Sequence, residues 1–216
     1  MRLPRPLTAK LDIGRTVVPR NPKEGDTRGS VCKLKVTLFD SQPSIWRRFH
    51  VESGVTLERL HHILQAVMGW TDSHMHGFRR PAASPSRARR RLLPIDSADE
   101  KSTRVADVLR RSKDRLFYEY DFGDSWEHQI VLEKIIPRSP TERYPLVVAG
   151  RGACPPEDVG GLSGYYHFLT AVKDATHPDH EEMMEWAGER FDPTAFDVQG
   201  VNRMFHGGWG PRRPHV

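Results

Sequence analysis

A chain of 216 residues, 37% apolar and 28% charged, has room for one domain with tails and the balance of a globular protein with a modest core. No run of about 18 apolar residues occurs, Met1–Pro6 lacks an apolar h-region, and two cysteines are too few for a disulfide scaffold or a four-cysteine zinc site. A membrane span and a secretory signal are therefore not expected, and a cytoplasmic location is. The net charge of +5 is unevenly spread: residues 1–30, 78–93 and 206–216 carry +4, +6 and +2, which leaves −7 on the rest. An acidic body argues against a surface that tracks nucleic-acid phosphates, and the basic segments are expected to bind polyanions only weakly and without sequence preference.

Residues 1–30 hold four prolines and three glycines with no periodicity and read as a flexible leader. From Val31 the apolar residues Cys32, Leu34, Val36 and Leu38 alternate with polar ones, the two-residue period of a half-buried strand. After a turn over Asp40–Ser44, the segment Ile45–Val51 alternates again, with Ile45, Phe49 and Val51 on one face, which completes a first hairpin. Thr56 is placed to cap a helix over Leu57–Met68 that ends at Gly69, and its apolar stripe leaves His61 and His62 as flanking surface residues. A short strand, His74–Phe78, follows.

Residues 79–94 are rich in arginine, proline and serine and read as a loop or disordered insert. Val105–Arg110 predicts a short helix. Leu116–Phe122 and Trp126–Leu132, joined by Gly123–Ser125, form a second hairpin in which Trp126, His128, Ile130 and Leu132 share a face. Pro137–Pro145 reads as a connector, and Arg151–Gly161 as an ordered loop. Three helices are expected beyond it: one capped by Ser163, one started by Pro178 with Met183, Met184, Trp186 and Ala187 inside, and one opened by Asp197. The expected fold is α+β, an antiparallel sheet built from hairpins, covered by helices, with a helical C-terminal third. The domain spans 31–205, and 206–216 form a flexible tail.

Six segments in this order carry a family resemblance: Ile45–Arg48, Met68–Trp70, His74–His76, Tyr118–His128, Cys154–Gly161 and Phe191–Asp197. Together they resemble the plasmid pRiA4b ORF-3-like family over residues 31–205. The resemblance implies an α+β domain whose relatives travel on plasmids and insertion elements; it implies no activity. The chain departs from it at residues 77–93, where the resemblance implies an acidic position at Gly77, a strand and an acidic loop. If a compensated pair of frameshifts put the arginine-rich stretch there, a strand at the sheet edge is lost; otherwise the stretch is a functional insert.

His74 and His76, two apart on a strand, project from one face and suit joint metal ligation. Asp121, Asp124, Glu127 and His128 crowd a tight hairpin end, and Cys154, Glu157 and Asp158 lie in a rigid loop. Convergence of these segments gives a divalent-metal site from His74, His76, Asp121, His128 and Asp158, able to activate water. A reading without a ligand stands beside it. Asp121 and Asp124 then serve the turn, Trp126 and His128 pack the core, and Glu157 and Asp158 cap a turn. No phosphate loop and no Gly-x-Ser-x-Gly elbow is present. Two functions follow. The favoured one is a non-enzymatic accessory module that binds a protein or peptide partner. Its groove is lined by Trp46, Trp70, Tyr120 and Trp126 beside Asp121, Asp124, Glu127, His128, Cys154, Glu157 and Asp158. The alternative is a divalent-metal-dependent hydrolase of a phosphoester or amide.

Overall fold

The structure, a computed structural model, describes residues 29–81, 92–187 and 191–207. Most of the leader and tail, and the middle of the arginine-rich stretch, lie outside them. The described residues form β1 (Ser30–Leu38), β2 (Trp46–Glu52), α1 (Leu57–Met68), β3 (His76–Pro81), β4 (Leu92–Ile95), α2 (Ser97–Glu100) and α3 (Val105–Val108). Then come β5 (Arg115–Tyr120), β6 (Trp126–Pro137), β7 (Leu146–Arg151), α4 (Gly161–Lys173), α5 (His180–Ala187) and α6 (Val198–His206). All seven strands join one antiparallel sheet in the order β4-β3-β5-β6-β1-β2-β7.

Two hairpins stand where the alternation places them. Thr37 faces Trp46 and Val31 faces Glu52 in the first; Tyr118 faces His128 and Tyr120 faces Trp126 in the second. The period of two sends Leu34, Val36, Phe49, Val51, Leu116, Tyr118, Ile130 and Leu132 to one face, where all are buried. That face is covered by α1. Thr56 Oγ1 accepts from the Arg59 N–H, Gly69 (φ 97°) closes the helix, and Leu57, Leu60, Ile63, Leu64 and Val67 reach the core. The opposite face is open and charged: Arg48 forks onto Glu133 at 2.7 and 2.8 Å, and Arg79 bridges Glu119 and Glu127.

The structure corrects four expectations. The segment 79–94 is not wholly a loop, because Arg79–Pro81 and Leu92–Pro94 are strand and pair with each other. The sheet-edge strand is retained: a ladder needs backbone groups only, and Phe78 anchors β3 in the core. β7 occupies residues that the periodicity left unassigned, since only Val147 of its six is buried. The last third is helical only in part. A loop over 152–160 precedes α4, residues 174–179 part α4 from α5, a non-helical stretch at 191–197 precedes α6, and Trp186 on α5 is 45% exposed rather than inside.

Candidate functional site

Three loops meet at one end of the sheet: residues 70–75 before β3, 121–125 between β5 and β6, and 153–160 before α4. Their backbones are unusual in the same place, with Asp72, Asp121, Ser125 and Asp158 all at φ between 54° and 63°. Aspartate enters this region more readily than most residues, and such positions gather where a loop holds side chains for use. Asp121 works in two directions. Its Oδ1 accepts the Gly123 N–H at 2.9 Å and fixes the turn, while Oδ2 faces His74 Nδ1 at 3.7 Å. On its other side, His74 Nε2 is enclosed and makes no hydrogen bond, although Asp158 Oδ1 lies 3.2 Å away. Ligand atoms of His74, Asp121 and Asp158 thus all fall within 4.8 Å of one another.

Around this cluster the other acids are clamps. Glu157 accepts from Thr71 N–H and hydroxyl and from the Tyr120 hydroxyl, and so ties its own loop to the 70–75 loop and to the end of β5. Asp124 accepts the Gly160 N–H at 3.1 Å, a carboxylate at the start of α4 where the helix dipole favours it. Gly161 is needed at that contact, because a Cβ there would stand 2.6 Å from the Asp124 carbonyl oxygen at a φ of +67°.

Several predicted site residues fall elsewhere. His76 does not join His74: it stacks on His61 at 3.5 Å and contacts Glu100 at 3.0 Å, because His74 precedes the strand and points with its loop. His128 is fully buried against Trp70 and Tyr118, outside the cluster. Glu127 alternates to the open face, where Arg79 takes it. The aromatic groove does not form. Trp70, Tyr120 and Trp126 are at most 7% exposed and pack on one another, while Trp46 lies on the open face between Lys35 and Arg48. The Cys154 thiol is half-buried and its pKa is driven up by burial, with Arg47 opposing, which keeps it protonated and poorly nucleophilic.

Comparison with known proteins gives the kinship. The profile of the family described as "Plasmid pRiA4b ORF-3-like protein" matches residues 30–200. The chain belongs to this family. It is 38% identical over 181 residues to the uncharacterized protein y4hQ of Sinorhizobium fredii, covering 81% of this chain and 90% of that one. It is also 36% identical to the crystal structure of MM3350, a protein of unknown function from Methanosarcina mazei Go1. The TM-score is 0.70, over 80% of this chain and 98% of that one.

Two buried polar centres in this family member escaped the sequence reading. His61 was expected at the surface and is 2% exposed. Its Nε2 reaches Asp72 at 2.7 Å and its Nδ1 the Tyr118 hydroxyl at 2.8 Å, which in turn accepts from Gln65 Nε2. This chain assigns a neutral imidazole with the proton on Nε2, and burial, with His76 beside it, holds the pKa down to about 4. The second centre is Arg47, 1% exposed, whose pKa burial lowers to about 10, so it stays cationic at neutral pH. Its signal was available: Arg47 is in phase with Ile45, Phe49 and Val51 on the apolar face of β2.

Proposed function

We propose that the protein is an accessory binding module organised around a divalent cation held by His74, Asp121 and Asp158. The observation that carries this reading is the convergence of one imidazole and two carboxylates, from three separate loops, within 4.8 Å. One nitrogen and two oxygens suit an ion of the manganese-to-zinc range. Asp158 also borders a cleft of about 480 Å³ lined by Glu182, Glu185, Met183 and the exposed Trp186. Carboxylates beside an open indole suit a basic peptide segment, with the cation over the ring. The plasmid origin in the family's name supports an accessory role on mobile elements.

Metal analysis of protein purified without a histidine tag tests the reading. One equivalent of metal is expected, and Asp158→Asn should lower affinity at least about tenfold with the melting temperature of the metal-free form unchanged. Absence of binding at about 1 mM metal, or an unaffected Asp158→Asn variant, overturns it. The hydrolase reading draws on a specific feature: the Asp158 side chain is 71% exposed, which leaves the solvent side of a bound ion open to water. Metal-dependent turnover of bis(p-nitrophenyl) phosphate that is lost in His74→Ala selects that reading over pure binding.

A further inference from the structure

The cavity beside Arg47 contains none of the three residues of the cation cluster. The Nε–H of Arg47 goes to the Val67 carbonyl at 2.8 Å, and Nη1 donates to the Trp46 and Arg151 carbonyls at 3.0 Å each. Among the described residues Nη2 has no hydrogen-bond partner, and no carboxylate forms an ion pair with the guanidinium. Carbonyl dipoles solvate a cation without cancelling its charge, and a buried unpaired charge is among the least favourable things a core can hold. The Phe196 ring lies over the guanidinium, 3.8 Å from Cζ. A tie between β2, α1 and β7 accounts for Nε and Nη1; it accounts neither for Nη2 nor for the choice of a permanent cation.

Arg47 also lines an open cavity of about 530 Å³ between the end of α1, the loop before α4, and α6. Its walls include Met68, Trp70, Pro155, Phe191, Val201 and Met204, all apolar or presenting apolar surface. The two carboxylates on its lining are committed elsewhere, Glu157 to Thr71 and Tyr120, Asp197 to the Gly200 N–H and Arg203. An apolar pocket of this size with one convergent cation is the common form of a small-molecule site.

We propose that this cavity binds a small monocarboxylic acid, its carboxylate against Arg47 Nη2 and its apolar body between α1 and α6. A single free nitrogen suits one carboxylate oxygen; a phosphate group is usually met by several convergent donors. The segments Ile45–Arg48, Cys154–Gly161 and Phe191–Asp197, which lie far apart in sequence, each contribute to this cavity or its floor.

Titration calorimetry of the full chain with octanoate and benzoate, against octanamide and benzamide, reads the proposal directly. The acids are expected to bind at least about tenfold more tightly than the amides, a preference that Arg47→Met abolishes. Ala195→Trp, an exposed substitution on the cavity lining, should block the acids without touching Arg47 and separates this site from the basic segments. Should Arg47→Met fail to fold, Ala195→Trp decides. Equal binding of acid and amide, no binding of either acid, acid preference retained in Arg47→Met, or acid binding retained in Ala195→Trp each overturns the proposal.

Discussion

The buried histidine His128 makes stability depend on pH in a way that can be measured. It projects from β6 into the core, edge-on to Trp70 with ring centroids 5.3 Å apart, and neither ring nitrogen has a side-chain partner. Burial lowers its pKa from 6.5 to about 4; backbone groups of Trp126 and Tyr118 oppose the shift and the Arg47 charge reinforces it. The unfolded chain therefore takes up a proton near the ordinary value while the folded chain resists it. The native advantage is complete above the unfolded pKa and is lost as pH falls from there toward the folded value. Linkage over that interval gives a loss of about 2 kcal/mol between pH 7 and 5 for this one group. Urea unfolding followed by tryptophan fluorescence at those two pH values, for the wild type and His128→Phe, isolates it. The variant retains the parallel contribution of His61 but should lose about 2 kcal/mol less on acidification than the wild type. Equal losses in the two proteins, or a His128 resonance titrating near the ordinary value, would refute the reasoning.

The remaining predictions concern the clamps and the strand contact. Glu157→Ala removes the acceptor shared by Thr71 and Tyr120 and should destabilise by about 2–3 kcal/mol in denaturant unfolding. Gly150→Ala places a Cβ 2.3 Å from the Phe196 ring and 3.0 Å from Arg47 Cδ, so a loss of about 1–3 kcal/mol is expected, relieved in part by Phe196→Ala. Asp124→Ala should lower the melting temperature through the Gly160 contact, whereas Asp158→Ala should leave it within error while weakening metal binding. Matching melting-temperature losses in these two variants would make Asp158 a clamp as well.

The parts of the fold legible in the sequence are those set by local period. β1, β5 and β6, and β2 apart from Arg47 and His50, alternate between a buried and a more open face, and α1 carries both its start signal, Thr56, and its stop signal, Gly69. β7 is an edge strand with one buried residue, so its sequence has no face to display, and α2 is four residues long with only Glu100 buried. The pairings β3 with β5, β6 with β1 and β2 with β7 join segments distant in sequence, and no local pattern encodes them. The convergence of His74 with Asp121 and Asp158 depends on β3 lying beside β5.

The aromatic residues carry a sharper lesson about sites. Trp126 shares a face with Ile130 and Leu132, and Tyr118 and Tyr120 are in phase with Leu116, so the same alternation that defined the hairpin also buries these rings. Their chemistry suits a groove lining, but their phase places them in the core. Arg47 is the converse case, a charged residue in an apolar phase that is easily passed over as an irregularity of the pattern. Turn acids such as Asp121 and Asp124 have a local use for their charge, and Glu133 and Arg48 on the open face have each other. A cation in register with Ile45, Phe49 and Val51 has no partner carboxylate, and what faces it from within the fold is three carbonyl hydrogen bonds and the Phe196 ring. Within a strand, a charged residue in the phase of the apolar face is therefore as much a candidate for a binding role as polar residues gathered at a turn.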